Sequence, residues 1–496
     1  MMDALGGVLA LLLMAGVVAG IFYTLMNLRR AVEVVEPLYR PADVTRLALG
    51  SLLLQGPLLR GLILKRTANP FRARSPEPGL DIELVAAAAK RFDDEDQGYW
   101  WTIAGLTLAL FVLNKPGILL LLWLAGIAVV SLRRRWRVRF VLAPRFTDER
   151  YDPRALRREL GLGEAPVREG VPVVCHGGGD PFAGLGVNLG GWNLAFDLNR
   201  PAPGCDNVAG QVTAHEMEAA IDGALSRLSL EGLRTEETMF VGGGEAVAAG
   251  VQADRFTRPM ARAPEAAASM FRHAGHPGVR VYRAASVTDW AGELVFTFLY
   301  RCQVRGAVLT VEAAQVVLTP AASAYREIDR LRVQGFWESV RWWGAAVALV
   351  PVDLVIAFIT ISRRINEVLQ EALFGGVAGR ERREIEANPA YNYGALWSLR
   401  SHMAAGAFAS YFQKVDAAQY FHAVNRQALN AVADLLRAND IDTDALETQS
   451  ALIQNNTVQI TAARDASLSG VAIGAGARAK GGLAAIGRGA GKGAKS

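Results

Sequence analysis

Apolar positions gather into a few long runs separated by stretches of mixed pattern. The first run is Ala4 to Leu28, with Arg29 and Arg30 directly after it. At ~1.5 Å per helical residue it is long enough to cross a ~30 Å hydrocarbon layer. The basic flank predicts a transmembrane helix in residues 1–30, with the following chain in the cytoplasm. The second run, Tyr99 to Leu132, is interrupted by Asn114-Lys115-Pro116 and followed by Arg133, Arg134 and Arg135. Proline ends a helix and Asn-Lys favours water, so a transmembrane hairpin is expected over 99–135. The third run, Trp342 to Ile361, carries Pro351 and Asp353 at its centre. It predicts a fourth transmembrane or re-entrant segment over 341–364. Leu47 to Leu64 is too interrupted by Gly50, Gly56, Pro57 and Arg60 to span, so an interfacial helix is expected there, within a cytoplasmic loop 31–98.

Between these runs the period changes. Val171 to Cys175 and Trp192 to Leu198 read as strands, as do Val279 to Val287, Glu293 to Val304 and Ala307 to Leu318. The last three are joined by gaps too short for parallel crossovers, which predicts antiparallel pairing. Thr213 followed by Glu216 is a capping box, opening a helix whose apolar face is Met217, Ile221, Ala224, Leu225 and Leu228. Residues 140–335 thus read as a cytoplasmic α+β domain with an antiparallel sheet. Residues 365–455 read as helical. Asp416 with Gln419 opens a helix there, with the stripe Phe421, Val424, Ala428, Val432 and Leu435. Residues 456–496 are a Gly/Ala-rich basic tail. The fold class expected is a multi-pass α-helical membrane protein with a soluble α+β domain and a C-terminal helical domain.

Composition sharpens this in two places. The chain has 496 residues, 51% apolar and 20% charged, which excludes a disordered protein. Its net charge is +5, and the stretch from Arg464 onward holds six basic residues and one acid, so the excess sits in the tail. Cys175, Cys205 and Cys302 form no C-x-x-C pair, which excludes a zinc ribbon or thioredoxin-type motif and suits a reducing compartment.

Candidate chemistry is sparse. His176-Gly177-Gly178-Gly179 has the form of an oxyanion loop, but no G-x-S-x-G nucleophile elbow accompanies it. Gly184-Leu185-Gly186 resembles a phosphate loop, yet it opens onto a strand and not a helix. His215-Glu216 lacks the second histidine of a zincin, and Asp440, Asp442 and Asp444 lack the later residues of a calcium loop. No catalytic set, metal site or cofactor is expected. The candidate ligand-binding residues are His176, Gly177, Gly178, Gly179, Gly184, Gly186 and Trp192. Asp353 is the candidate intramembrane acid, since a carboxylate at that depth is costly and marks function. Held neutral by burial, it would donate to the carbonyl freed by Pro351.

Asp180-Pro181-Phe182-Ala183-Gly184-Leu185-Gly186, Trp192, Asp289-Trp290-Ala291-Gly292-Glu293, Tyr411-Phe412-Gln413-Lys414, Ile441-Asp442-Thr443 and Val471 to Ala479 together resemble a family of uncharacterised multi-pass membrane proteins of actinobacteria. The likeness runs from about 170 to 480. It implies a bacterial plasma membrane and no particular activity. The function expected is a membrane scaffold or sensor. The alternatives are a ligand- or nucleotide-binding protein using loop 176–192, and a transporter component. The partners expected are the lipid bilayer, anionic lipid or protein at the basic tail, and a second copy in a homo-oligomer; no specific nucleic acid is expected.

Overall fold

The computed structural model describes residues 41–113, 118–163, 169–205, 211–329 and 336–444, with Leu446 and Ser450. The run Ala4 to Leu28, the Asn114-Lys115-Pro116 break and the tail 456–496 lie outside the described residues.

A seven-stranded sheet forms the centre. Its strands are β1 (Val171–His176), β2 (Val187–Asp197), β3 (Leu233–Gly242), β4 (Arg262–Ala263), β5 (Val279–Asp289), β6 (Leu294–Arg305) and β7 (Val308–Leu318). Their order is β2-β7-β6-β5-β3-β1-β4. The short turns do make β5, β6 and β7 an antiparallel meander, with Phe298 facing Ala285 and Gln315. The sheet as a whole is mixed, because β1 runs parallel to β3, Val173 facing Met239. An all-antiparallel sheet was expected because β3 opens on the polar Arg234-Thr235-Glu236-Glu237 and does not read as a strand.

Strand β6 is buried on both faces along Leu294 to Cys302. On one side Phe296, Phe298, Tyr300 and Cys302 meet Met217, Ile221 and Leu225, and also Phe421, Val424, Ala428 and Val432. These come from two helices, α6 (Ala214–Ser226) and α12 (Tyr411–Ala438). The capping box of α6 is formed: Glu216 N donates to Thr213 Oγ1 at 3.2 Å, and Thr213 N to Glu216 Oε2 at 2.9 Å. Helix α12 begins earlier than Asp416 implies. Ser410 caps it, accepting from Gln413 N at 3.2 Å, while the Gln413 side chain accepts from Ala409 N at 3.0 Å. Asp416 lies inside the helix and accepts from Trp290 Nε1 at 2.9 Å.

The remaining helices are α1 (Val44–Leu54), α2 (Pro57–Thr67), α3 (Ile82–Leu113), α4 (Ile118–Trp136), α5 (Pro153–Glu159), α7 (Glu265–Phe271), α8 (Phe336–Ala348), α9 (Val350–Phe374), α10 (Gly376–Ala387) and α11 (Leu399–Met403). The multi-pass membrane fold expected above is overturned by them. Among the described residues no single helix is long and apolar enough to cross a membrane. One pair, Trp342–Ala348 with Val350–Phe374, passes by length and composition together but is bent by 53° at the break. The physical reason is charge placement. Tyr99 to Leu113 is only the second half of α3, whose first half carries Lys90, Arg91 and Asp93-Asp94-Glu95-Asp96. Helix α4 ends on Arg133-Arg134-Arg135-Trp136, and α9 is crossed by Arg363 and Arg364. The apolar runs bury against one another instead: Trp100, Ile103, Trp123, Ile127 and Ala357 form one cluster. Leu47 to Leu64 is not one helix. Gly56, at φ +73°, and Pro57 divide it into α1 and α2. Val44 to Leu53 is buried throughout, and Gly50 lets α1 close onto Ile328.

Two acids tie distant segments together. Glu293, fully buried at the end of the β5–β6 return, accepts from Ala42 N at 2.7 Å and pairs with Arg326, while its carbonyl accepts from Arg400 Nη2 at 2.7 Å. Glu77 accepts from Ser398 Oγ at 3.0 Å and from the Leu399 and Arg400 amides at 2.9 and 2.6 Å. Burial pushes the Glu77 carboxyl up to about 7, against the downward pull of the Arg400 and Leu399 amides and the Ser398 hydroxyl. A carboxyl raised on folding contributes stability that is complete below its unfolded value and is lost as pH rises through its folded value. Urea midpoints should therefore fall between pH 5 and 8 in the wild type, and Glu77→Gln should flatten that slope. An unchanged slope in the variant assigns the pH dependence to another group.

Candidate functional site

The glycine loop after β1 is built by close backbone approach. His176 pairs in parallel with Ala395, and Gly177 N donates to the Ala395 carbonyl at 2.9 Å. Asn392 Nδ2 donates to the Gly177 carbonyl at 2.7 Å. A Cβ at Gly177 would press on Leu396 and on the Gly394 carbonyl. Gly178 and Gly179 have open space around them, and His176 Nδ1 lies 2.9 Å from the Gly178 carbonyl. Gly184, at φ +89°, faces Ser75 and the Pro76 carbonyl; Gly186, at φ +118°, faces the Val317 carbonyl. Both need the left-handed region that glycine enters without steric cost. The neighbours at Gly177, Gly184 and Gly186 are this chain's own residues. The loop so held lays Phe182 on the sheet face opposite α6 and α12, edge-on to Phe240 at 5.8 Å.

Trp192 is not brought to that loop. It is buried in β2 on the face under α12, where its Nε1 donates to Asn425 Oδ1 at 3.0 Å. Gln315 Nε2 donates to the same oxygen at 2.6 Å. The seven candidate residues thus divide between the two sides of the sheet.

Asp353 is also placed otherwise than expected. It is almost wholly buried and accepts a two-pronged contact from Arg135, with Nε to Oδ2 at 2.9 Å and Nη2 to Oδ1 at 2.7 Å. Its partner is the Arg135 guanidinium and not the backbone carbonyl freed by Pro351. Proline lets α9 start there: Pro351 stands in the first turn, where its missing N–H breaks no ladder.

That pair belongs to a larger cluster missed in the sequence, the acid run of α3. Successive helical side chains are ~100° apart, so four in a row point to different neighbours. Asp93 takes Arg363 Nη2 at 2.8 Å and Arg364 Nη2 at 2.8 Å, both from α9. Glu95 takes Arg91 Nε at 2.8 Å on its own helix and Arg137 Nη2 at 2.7 Å beyond α4. Asp96 takes Arg134 Nη2 at 2.7 Å from α4 and pairs with Arg60 of α2. Arg134 also stacks 4.7 Å above the Trp100 ring. Asp94 alone is half-exposed, with Arg364 Nη2 at 3.3 Å. A signal was present: four acids beside an apolar run, with Arg-rich ends on the other two runs.

Burial by itself would push the Asp96 carboxyl up, but the charges of Arg134 and Arg60 and their hydrogen bonds outweigh it and hold Asp96 below the usual carboxylate range. Burial in turn lowers Arg60, opposed by Asp96 and assisted by the like charge of Arg134. A second polar cluster stitches α6 to the sheet. Asp222 accepts from Tyr300 Oη and Arg283, and Glu218 accepts from Cys302 N at 3.2 Å. Burial raises the Glu218 carboxyl and the Cys302 thiol. Among the described residues no group of His, Cys, Asp and Glu could hold a metal ion. A cavity of about 150 Å³ lies between Arg145, Arg150, Tyr151 and Leu156. It is below the ~300 Å³ at which ligand pockets begin.

Removing one partner of a buried ion pair costs ~3–5 kcal/mol, because the other charge stays buried. Asp96→Asn leaves Arg60 and Arg134 without a counter-charge and should lower unfolding stability by about that amount in urea titrations. Asp94→Asn, at the solvent edge, should cost less than ~1 kcal/mol. Equal losses for the two would show that burial does not set the energetics of the run.

A family model described as the AbeC-like domain matches residues 191–469. Comparison with curated proteins finds no match, and comparison with solved structures finds none. The matched region opens inside β2 and takes in Asp353, Arg363, Arg364 and α12; the acid run and the glycine loop lie before it. It covers more than half of the 496 residues, and the chain belongs to the AbeC-like domain family.

Proposed function

We propose that the protein is a scaffold that holds a protein partner on the outer side of α9. The observation that carries this is an apolar surface on a helix held at both ends. Phe358 is 75% exposed and Val368 70% exposed, and Val355, Ile365, Leu369 and Leu373 are each more than half exposed. The inner side of α9 is tied by Asp353 to Arg135 and by Arg363 and Arg364 to Asp93. Its far end turns through Gly375 and Gly376 into α10, whose Ile385 is buried against Tyr391 and Tyr393 beside the sheet. Contiguous apolar surface on a rigid element marks an interaction site, and rigidity lowers the entropy lost on docking. The buried carboxylates support the same reading, since Asp93, Asp96, Asp353 and Glu293 are committed to arginines or backbone amides.

Phe358→Lys with Leu369→Lys tests this. Both positions are exposed, so the melting temperature should stay within ~2–3 °C of wild type. Proximity labelling from a ligase fused to the full chain should lose a defined set of neighbours in the double variant. An identical set of neighbours in the folded variant contradicts the scaffold reading.

A further inference from the structure

We infer that residues 457–462 of this chain add to the free edge of β2 as a further strand, antiparallel to it. The inference stands apart from the reading of α9.

The sheet has two edges, and they are unequal. At one, β4 is two residues long, carries Arg262 and is followed by Pro264, so it offers little to pair with. At the other, β2 runs for 11 residues, and among the described residues no strand lies beyond it. Every second N–H and C=O of β2 therefore points away from β7. No lysine or proline interrupts β2, and its one charged residue, Asp197, stands at the end. A long edge without such guards is a template for another strand.

The chain beyond α12 returns to the end of β2. Asp442 N donates to the Arg200 carbonyl at 3.1 Å and Ala202 N to the Asp440 carbonyl at 2.8 Å, an antiparallel bridge at Pro201 and Ile441. Arg200 N in turn donates to the Asp197 carbonyl at 3.2 Å, so the bridge sits one turn from β2. Leu446 is buried in the cluster that holds Trp192, Leu194 and Phe196. Fourteen residues separate Asp442 from Thr457, enough at ~3.3 Å per extended residue to bring Thr457 back to Asp197. A strand that enters there and runs toward Val187 is antiparallel to β2. The AbeC-like match opens at residue 191, inside β2, and closes at 469, so both strands fall within that one domain.

The pattern of the segment fits the edge. Asn455-Asn456 is a turn signal, and Thr457-Val458-Gln459-Ile460-Thr461-Ala462 alternates polar and apolar, with β-branched residues at four of its positions. In β2, Trp192, Leu194 and Phe196 are buried under α12, while Gly191, Asn193, Ala195 and Asp197 are exposed. Residues directly opposite in an antiparallel pair share a face. Matching the two alternations sets Val458 beside Phe196, Ile460 beside Leu194 and the small Ala462 beside Trp192. Thr457, Gln459 and Thr461 then lie beside Asp197, Ala195 and Asn193. A slip of one residue would turn Val458 and Ile460 to the exposed face. The register stops just short of the bulge between Asn188 and Gly190, where the regular edge of β2 ends.

The test uses the full chain with Cys205→Ser, which leaves the buried Cys175 and Cys302. Ala195→Cys with Gln459→Cys should form a disulfide within one chain under mild oxidation, read by peptide mapping. Asn193→Cys with Thr457→Cys should not, because the register holds them four positions, ~13 Å, apart. In hydrogen exchange on the wild-type chain, amides of 457–462 should exchange at least tenfold more slowly than in a free peptide of that sequence. Val458→Asp with Ile460→Asp should abolish the difference while β5, β6 and β7 keep their protection. Exchange of 457–462 at the free-peptide rate overturns the inference, as does equal crosslinking of the two cysteine pairs. A disulfide that joins two chains overturns it as well, since the strand covering β2 would then come from a second copy.

Discussion

Four consecutive carboxylates on one helix cannot share a face, and in this chain that geometry ties the helical layer together. Asp93, Glu95 and Asp96 leave α3 in different directions and meet arginines from α9, from the segment after α4, and from α4 and α2. Each pair is short and two of the acids are almost wholly buried, so the pairing is sensitive to small displacements of any helix. A buried ion pair adds little net stability over an apolar substitute, because desolvation offsets its attraction. What it adds is register: a slip of one residue in α3 would leave buried charges without partners. We take that as the reason why helices with apolar faces on several sides settle into one arrangement around Trp100 and Ile127.

The same logic explains how the two layers meet. The sheet carries its own core under α6 and α12, and closes its other face with the loop that Gly184 and Gly186 allow to fold back. The helices meet the sheet in two ways: through Glu293, which binds Ala42, Arg326 and Arg400, and through Ile385, Tyr391 and Tyr393, which pack on Val173, Met239 and Val281. With the inner sides of the helices so committed, apolar residues of α9 that face outward have no partner within the described chain. The scaffold reading begins from that surplus.

Much of the sheet was legible in the sequence. The short turns after β5 and β6 required hairpins, and Thr213 with Glu216 announced α6 correctly. Strand β3 was not legible, because its polar first half shows neither alternation nor an apolar run, and with it went the parallel pair. The helical layer misled for a different reason. Hydropathy sees Tyr99 to Leu132 and Trp342 to Ile361 as apolar, but not that Arg135 will find Asp353, more than two hundred residues away in sequence. Long-range pairing is invisible to a local pattern, so an acid that looked stranded proved partnered. The glycine loop misled likewise, since open glycines and glycines packed on distant backbone share one signature.

The most direct test of the central tie is amide hydrogen exchange on the full chain with Asp93→Asn. Asp93 is the carboxylate that holds both arginines of α9. The account predicts that amides of α9 from Asp353 to Phe374 lose protection by tenfold or more while those of β5, β6 and β7 keep theirs. Undiminished protection in α9, or an equal loss across the sheet, would contradict the claim that this acid run is what holds the helical layer in place.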